Sequence, residues 1–256
     1  MRSVLDELAG GDGPMQRAQR GLRSPLPKRF YREASIGESP DGFAVLLDGK
    51  PVKTPAKRLL AFPSRALAEA VAAEWAGQGE TIDPAAMPLT KLANVALDRV
   101  ADEPEAVADE IAKYAGTDLV CYRAGDPVGL AAAQKAAWDP FLEWARNELG
   151  ARFVGTEGVQ HVAQSPEALA AVRAELAKFT SPLGLAALAS ATALSGSALI
   201  ALALACGRLS ADAAWTAAHV DEDWNIARWG ADTEATERRA ARRAEFDAAA
   251  KVLALS

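Results

Sequence analysis

Residues 181–207 read SPLGLAALASATALSGSALIALALACG, without one charged side chain. How this stretch is read decides the fold. It is long enough to cross a bilayer. Yet Ala, Ser and Gly dominate it rather than Leu, Ile and Phe, Ser195-Gly196-Ser197 interrupts its centre, and no aromatic belt flanks it. The preferred reading is a buried helical hairpin whose small side chains let two backbones approach closely. A membrane-inserted factor using the same residues is the competing reading.

The rest of the composition agrees with a helical, water-borne chain. Half of the 256 residues are hydrophobic, enough to bury a substantial core and too many for disorder. Alanine makes up about a quarter of the chain and favours helix. The charge, 28 − 34 = −6, argues against a general nucleic-acid binder. Two histidines and two cysteines rule out a disulfide scaffold and a zinc site built mainly from these residues, so no metal and no cofactor is expected. Cys121 and Cys206 read as two buried free thiols, with a single disulfide as the alternative. The first residues, MRSVLDELAGGDG, lack the apolar stretch of a secretory signal, and Asp6 and Glu7 argue against a transit peptide. Residues 1–27 read as a flexible arm.

Outward from the hairpin, residues 30–62 have β character. Phe30 to Ile36 alternates with period two, Ser39-Pro40-Asp41-Gly42 is a turn, and Asp48-Gly49 supplies the positive φ of a tight hairpin. From Ser64 onward helices dominate. Ser64, Ser165, Ser181 and Ser210 stand as N-caps, and Asp102 as a further candidate cap before Pro104. Pro127 to Leu149 reads as one long helix, Phe153 to Val162 as a hairpin, and Asp232 to Leu255 as the last helix. The fold class is therefore α+β, with a small β-containing N-terminal domain over 28–120 and a larger, mainly helical domain over 121–256.

Catalytic signatures are missing. The chain has no phosphate loop, no dinucleotide fingerprint, no nucleophile elbow, no Cys-x-x-Cys and no His-x-x-x-His. No catalytic residue is assigned, and an enzyme working through unpatterned carboxylates is the alternative function. The most informative segment is Ser210 to Gly230, SADAAWTAAHVDEDWNIARWG. Projected as one continuous helix, it places Glu222 amid Trp215, His219, Ile226 and Trp229, with Trp224 on the opposite side and Asp221 and Asp223 solvated. A carboxylate in an aromatic stripe is costly unless paired or wet. Glu222 is then either paired inside the fold or a polar anchor in an apolar docking surface. The Arg238, Arg239, Arg242 and Arg243 cluster reads as an exposed helix face carrying i,i+4 pairs. Trp75, Trp138 and Trp144 read as core.

The strings KRFYREASI, GFAVLLDGKPVKTPAKRLL, AVAAEWAGQGETIDPAAMPLTKLANVALDRV, TDLVCYRA, WDPFLEW, LSGSALIALALACG and DEDWNIARWG occur in this order. Together they resemble the assembly chaperones of F-type ATP synthase that escort the α subunit, over nearly the whole chain from Lys28. The resemblance implies a chaperone without ATPase activity. Its partner would be the free α subunit, with the protein monomeric when free and bacterial and cytoplasmic in location. It carries Asp221, Glu222, Asp223 and Trp224 over as partner-binding residues, Glu222 foremost, and Trp75 as structural; Trp215 and Trp229, on the aromatic stripe, are also read as structural. Asn225 stands where the family pattern implies glutamine.

Overall fold

The computed structural model describes residues 4–8, 25–158 and 160–255. It is an α+β fold: a small antiparallel sheet near the N-terminus followed by a helical body. Strands β1 (Ala34–Ser39) and β2 (Gly42–Leu47) form a hairpin in which Ser39 faces Gly42. The short strands β3 (Lys50–Pro51) and β4 (Ala61–Phe62) both pair with the far edge of β2. Gly42 turns with φ 109°, and an added Cβ would lie 2.3 Å from the Phe62 carbonyl oxygen. The expected strand from Phe30 begins only at Ala34. The Asp48 carboxylate accepts hydrogen bonds from the backbone N–H of Arg32 and Glu33, which holds that stretch in a capped turn.

Helix α2 (Arg65–Ala76) is capped by Ser64 and packs on β1 and β2. Helix α3 (Pro88–Val95) continues through a wider turn to Val100. The Glu74 carboxylate of α2 accepts from the N–H groups of Leu89 and Thr90 and from the Thr90 hydroxyl, so one helix caps the next. Helix α4 (Pro104–Tyr114) follows. Asp102 does not cap it. Its carboxylate is taken by the Arg58 guanidinium, and Glu103 occupies the cap position without a side-chain bond. After α5 (Val128–Trp144, running on to Leu149) and α6 (Pro166–Leu176) come α7 (Pro182–Ser195) and α8 (Ala198–Ala205). The chain closes with α9 (Ala211–Ala218), α10 (Val220–Trp229) and α11 (Thr233–Leu255).

The decisive stretch is a buried helical hairpin. Gly196 ends α7 in the left-handed region, and the Ser197 hydroxyl accepts from Ile200 N–H to start α8, so the Ser-Gly-Ser interruption is a cap-to-cap turn. Nearly every residue of both helices is buried, on all faces. Among the described residues no helix is long and apolar enough to cross a membrane. Asp118, fully buried, fastens the hairpin to the rest: its carboxylate accepts from Val120 N–H and from Leu199 N–H at the start of α8.

Other expectations are corrected. Residues 153–162 form no hairpin. Strand β6 (Thr156–Glu157) pairs in parallel with β5 (Tyr122–Arg123), and the Gln164 amide takes both the N–H and the carbonyl of Val154 that a hairpin would use. Cys121 and Cys206 are both free; Cys121 is buried, but Cys206 is exposed because it lies in the turn after α8. Burial pushes the Cys121 thiol up to about 12, leaving it unreactive at neutral pH. Within the stretch read as a flexible arm, Val4–Leu8 forms a helix, α1, with Leu5 and Leu8 buried; residues 1–3 and 9–24 lie outside the described residues.

Candidate functional site

Segment 210–230 is two helices, not one. The Ser210 hydroxyl accepts from Ala213 N–H and starts α9. The chain then breaks at His219. That imidazole stacks on the Trp215 indole, ring centroids 3.7 Å apart, and donates from Nδ1 to the Trp215 carbonyl at 2.8 Å. Trp215 in turn packs edge-on to Phe246 of α11. Burial is the main cause that holds the imidazole below its ordinary titration range, so at neutral pH the stacked ring is uncharged.

The break redirects α10. None of its residues is buried. The continuous projection fails for this reason: Trp215 and His219 belong to the core, whereas Trp229, placed on the same stripe and read as structural, is 76% exposed. Glu222 leaves the aromatic stripe as well and sits half-exposed. Trp75, by contrast, packs against the Tyr31 ring, and its carbonyl accepts from the Tyr31 hydroxyl.

The three carboxylates of the first turn of α10 oppose the positive end of the helix dipole. They are held differently. Asp221 accepts from the buried Gln134 amide of α5 at 2.6 Å. Asp223 is gripped by the Arg239 guanidinium of α11. Glu222 has only loose neighbours, Arg239 Nε at 3.7 Å and His219 Nε2 at 3.9 Å, both beyond hydrogen-bond length. Asp221 and Asp223 therefore hold α10 to the body, and Glu222 lies half-exposed beside Arg239 and His219 without a hydrogen bond to either.

Trp224 is half-buried. Its indole lies against the backbone of Gly129 at the start of α5, so close that a Cβ there would meet Cη2 at 2.5 Å. The Arg228 guanidinium covers the ring, 4.2 Å from its centroid. Val128, next to Gly129, is 77% exposed. The resulting surface carries exposed apolar groups around three carboxylates. Sequence reading located the acidic and aromatic residues of this surface but not Gly129, Gln134 or Arg239. A glycine at the start of a helix was the one local signal available. The arginines of α11 are engaged: Arg238 with Glu234, Arg242 with the Leu194 carbonyl, Arg243 with Asp212 and Asp247.

Comparison with known proteins matches the same architecture. The family model described as "ATP12 chaperone protein" matches residues 28–146. The crystal structure of a protein from Agrobacterium tumefaciens described as a putative chaperone superposes with a TM-score of 0.86 at 48% identity, covering 98% of this chain and 94% of that one. The crystal structure of Atp12 from Paracoccus denitrificans gives 0.81 at 42% identity, covering 90% of this chain and 98% of that one. The chain belongs to the ATP12 chaperone family. The likeness extends to the mitochondrial protein atp12 of Schizosaccharomyces pombe, 24% identical over 230 residues, 84% of this chain and 79% of that protein. Membership makes the chain an ATP synthase assembly chaperone.

Proposed function

We propose that the chain binds the free α subunit of F-type ATP synthase and shields its assembly surface until the next subunit takes its place. The client contact in this reading is α10, through Glu222 with Trp224, Asp221 and Asp223, flanked by Trp229 and Val128. One observation carries it: α10 buries none of its residues, yet it presents an exposed tryptophan, Trp229, and a carboxylate, Glu222, that no hydrogen bond claims. An unassembled subunit exposes apolar surface and is prone to aggregate. A binding face with aromatic anchors and a few polar groups suits that client, and such a task needs no reacting side chains. In this reading the protein works as a free monomer in the bacterial cytoplasm, without a cofactor.

The test is aggregation of the purified α subunit, followed by light scattering, with and without this protein. Stoichiometric protein is expected to suppress scattering. Glu222→Ala is expected to keep wild-type unfolding within about 0.5 kcal/mol, as for an exposed surface change, and to lose most of the protection. Protection by the Glu222→Ala protein equal to wild type refutes α10 as the contact. No protection by either protein refutes the α-subunit client.

A further inference from the structure

The two edges of the small sheet are built differently. At the edge formed by β3 and β4 the strands are two residues long, and Lys50, Pro51 and Lys53 stand exposed at or beside it. Short strands, lysines and prolines keep a sheet edge from pairing with another chain. At the opposite edge β1 runs for six residues with no lysine, no proline and no bulge, each residue facing one of β2 in unbroken register. The Glu33 carbonyl accepts from Asp48 N–H, so the residues of β1 tied to β2 are Ser35, Gly37 and Ser39. The N–H and carbonyl groups of Ala34, Ile36 and Glu38 therefore point away from β2, and among the described residues they meet no hydrogen-bond partner. None of the six residues is buried, and α2 packs on β1 and β2 alike, as a helix across the sheet face does. A row of alternate free backbone groups is matched by another extended chain. Charge decides which chain. Residues 33–41 carry Glu33, Glu38 and Asp41 and no cation. A second copy of β1 paired here would set the carboxylates of both copies along one seam, which disfavours it. A foreign strand with Lys or Arg beside Glu38 and an apolar side chain beside the half-buried Ile36 satisfies both. An unassembled protein exposes unpaired strands together with apolar surface, so the client of an assembly chaperone has such a strand to offer.

We propose that the free edge of β1 is a second client contact, which adds one extended, lysine- or arginine-bearing strand of the client to the sheet. It rests on the proposed α-subunit reading for the identity of the client, and it shares no residue with α10. Backbone pairing supplies attraction that most client sequences satisfy, and the side chains of Ile36 and Glu38 set the register.

The probe is the purified α subunit, and the full chain is compared with its Glu38→Lys and Glu38→Pro variants. Glu38 is exposed and its N–H takes no part in the ladder with β2, so both variants are expected to keep the wild-type circular dichroism. Lysine reverses the charge at the edge, and proline removes an outward N–H and puts its ring in the way. Each is expected to weaken binding of the α subunit, read by surface plasmon resonance, by about 10-fold or more. In the wild type, binding is expected to slow amide exchange at Ala34, Ile36 and Glu38 by about 10-fold or more, with little change at Ser35 and Gly37, which β2 already protects. Unchanged affinity in both variants, or unchanged exchange at the three outward amides, overturns the proposal and leaves the client and α10 standing. Loss of fold in both variants makes Glu38 part of the scaffold and overturns it too. So does a wild-type dimer in sedimentation that Glu38→Pro dissociates, because the edge then holds a second copy. If wild type and variants alike fail to bind the α subunit, the α-subunit reading itself falls and this contact with it.

Discussion

Replacing Asp118 by asparagine tests how the hairpin is fastened. The carboxyl is fully buried, and desolvation raises it from 3.8 to about 6 despite the N–H groups of Val120, Ala198 and Leu199 and the Ser197 hydroxyl that favour its charged form. The folded protein therefore binds this proton more tightly than the unfolded chain does. The stabilisation from protonation is fully present below about pH 3.8 and is lost as pH rises through about 6. A gap of about two pH units is worth about 3 kcal/mol at about 1.4 kcal/mol per unit. Asparagine does not titrate, and its amide NH2 must face at least one donor, so the variant is less stable throughout. The measurement is urea unfolding of both proteins between pH 4 and 7.5. Wild type minus variant is expected to grow by about 2 kcal/mol as pH falls across the interval, the rest of the gain coming below pH 4. A difference that stays flat, or shrinks on acidification, refutes the reasoning that burial outweighs the hydrogen bonds at this site. Alanine at the same place leaves the buried N–H groups of Val120 and Leu199 without an acceptor and is expected to cost about 2–6 kcal/mol, read from the same titration at pH 7.

Gly129→Ala puts a Cβ 2.5 Å from the Trp224 indole and is expected to push α10 off α5. The overpacking costs about 1–3 kcal/mol, partly offset by the better helix propensity of alanine. A shift in tryptophan emission with weakened client protection is the expected readout, and unchanged emission would count against the contact. Glu74→Ala removes the carboxylate that caps α3 and is expected to cost about 1–2 kcal/mol by urea unfolding. Trp138→Phe keeps an aromatic ring but removes the indole N–H that donates to the Ala217 carbonyl at 2.7 Å and leaves a cavity, for an expected loss of about 2–4 kcal/mol in the same assay.

What was legible in the sequence was local. Serine hydroxyls that cap the following turn mark the starts of α2, α6, α7 and α9 at Ser64, Ser165, Ser181 and Ser210, because a cap needs only three or four consecutive residues. The buried hairpin was legible for a related reason: a left-handed glycine between two serines is a stop and a start in three letters. The break at His219 was not, because neither proline nor glycine makes it. It is sustained by the stack on Trp215 and the packing of Phe246, which lies 27 positions further on. The partners of α10 escaped for the same reason. Gln134 and Gly129 belong to a helix some 90 residues earlier, and nothing in their own surroundings points to α10. The parallel pairing of β5 with β6 joins segments 34 positions apart and competes with a hairpin that local alternation favours.

The contrast between α7 and α10 bears on how a chaperone of this kind separates folding from binding. Helix α7 buries nearly all of its side chains, small ones that admit close neighbours, and so contributes heavily to the core while offering nothing to a partner. Helix α10 buries none and is attached by two tied carboxylates and one indole lying on a glycine. Polar ties of this kind are each worth about 1–3 kcal/mol at most. They orient α10 without making the fold depend on it. In the proposed reading, substitutions at Glu222 or Trp229 alter client binding while the body stays folded, whereas changes at Trp215 or His219 act on the core that aims the helix. The same helix cannot serve as the hydrophobic support of the body and as the face shown to a client, because apolar area buried in folding is no longer available for binding. The break at His219 is where this chain passes from one use of its aromatic residues to the other.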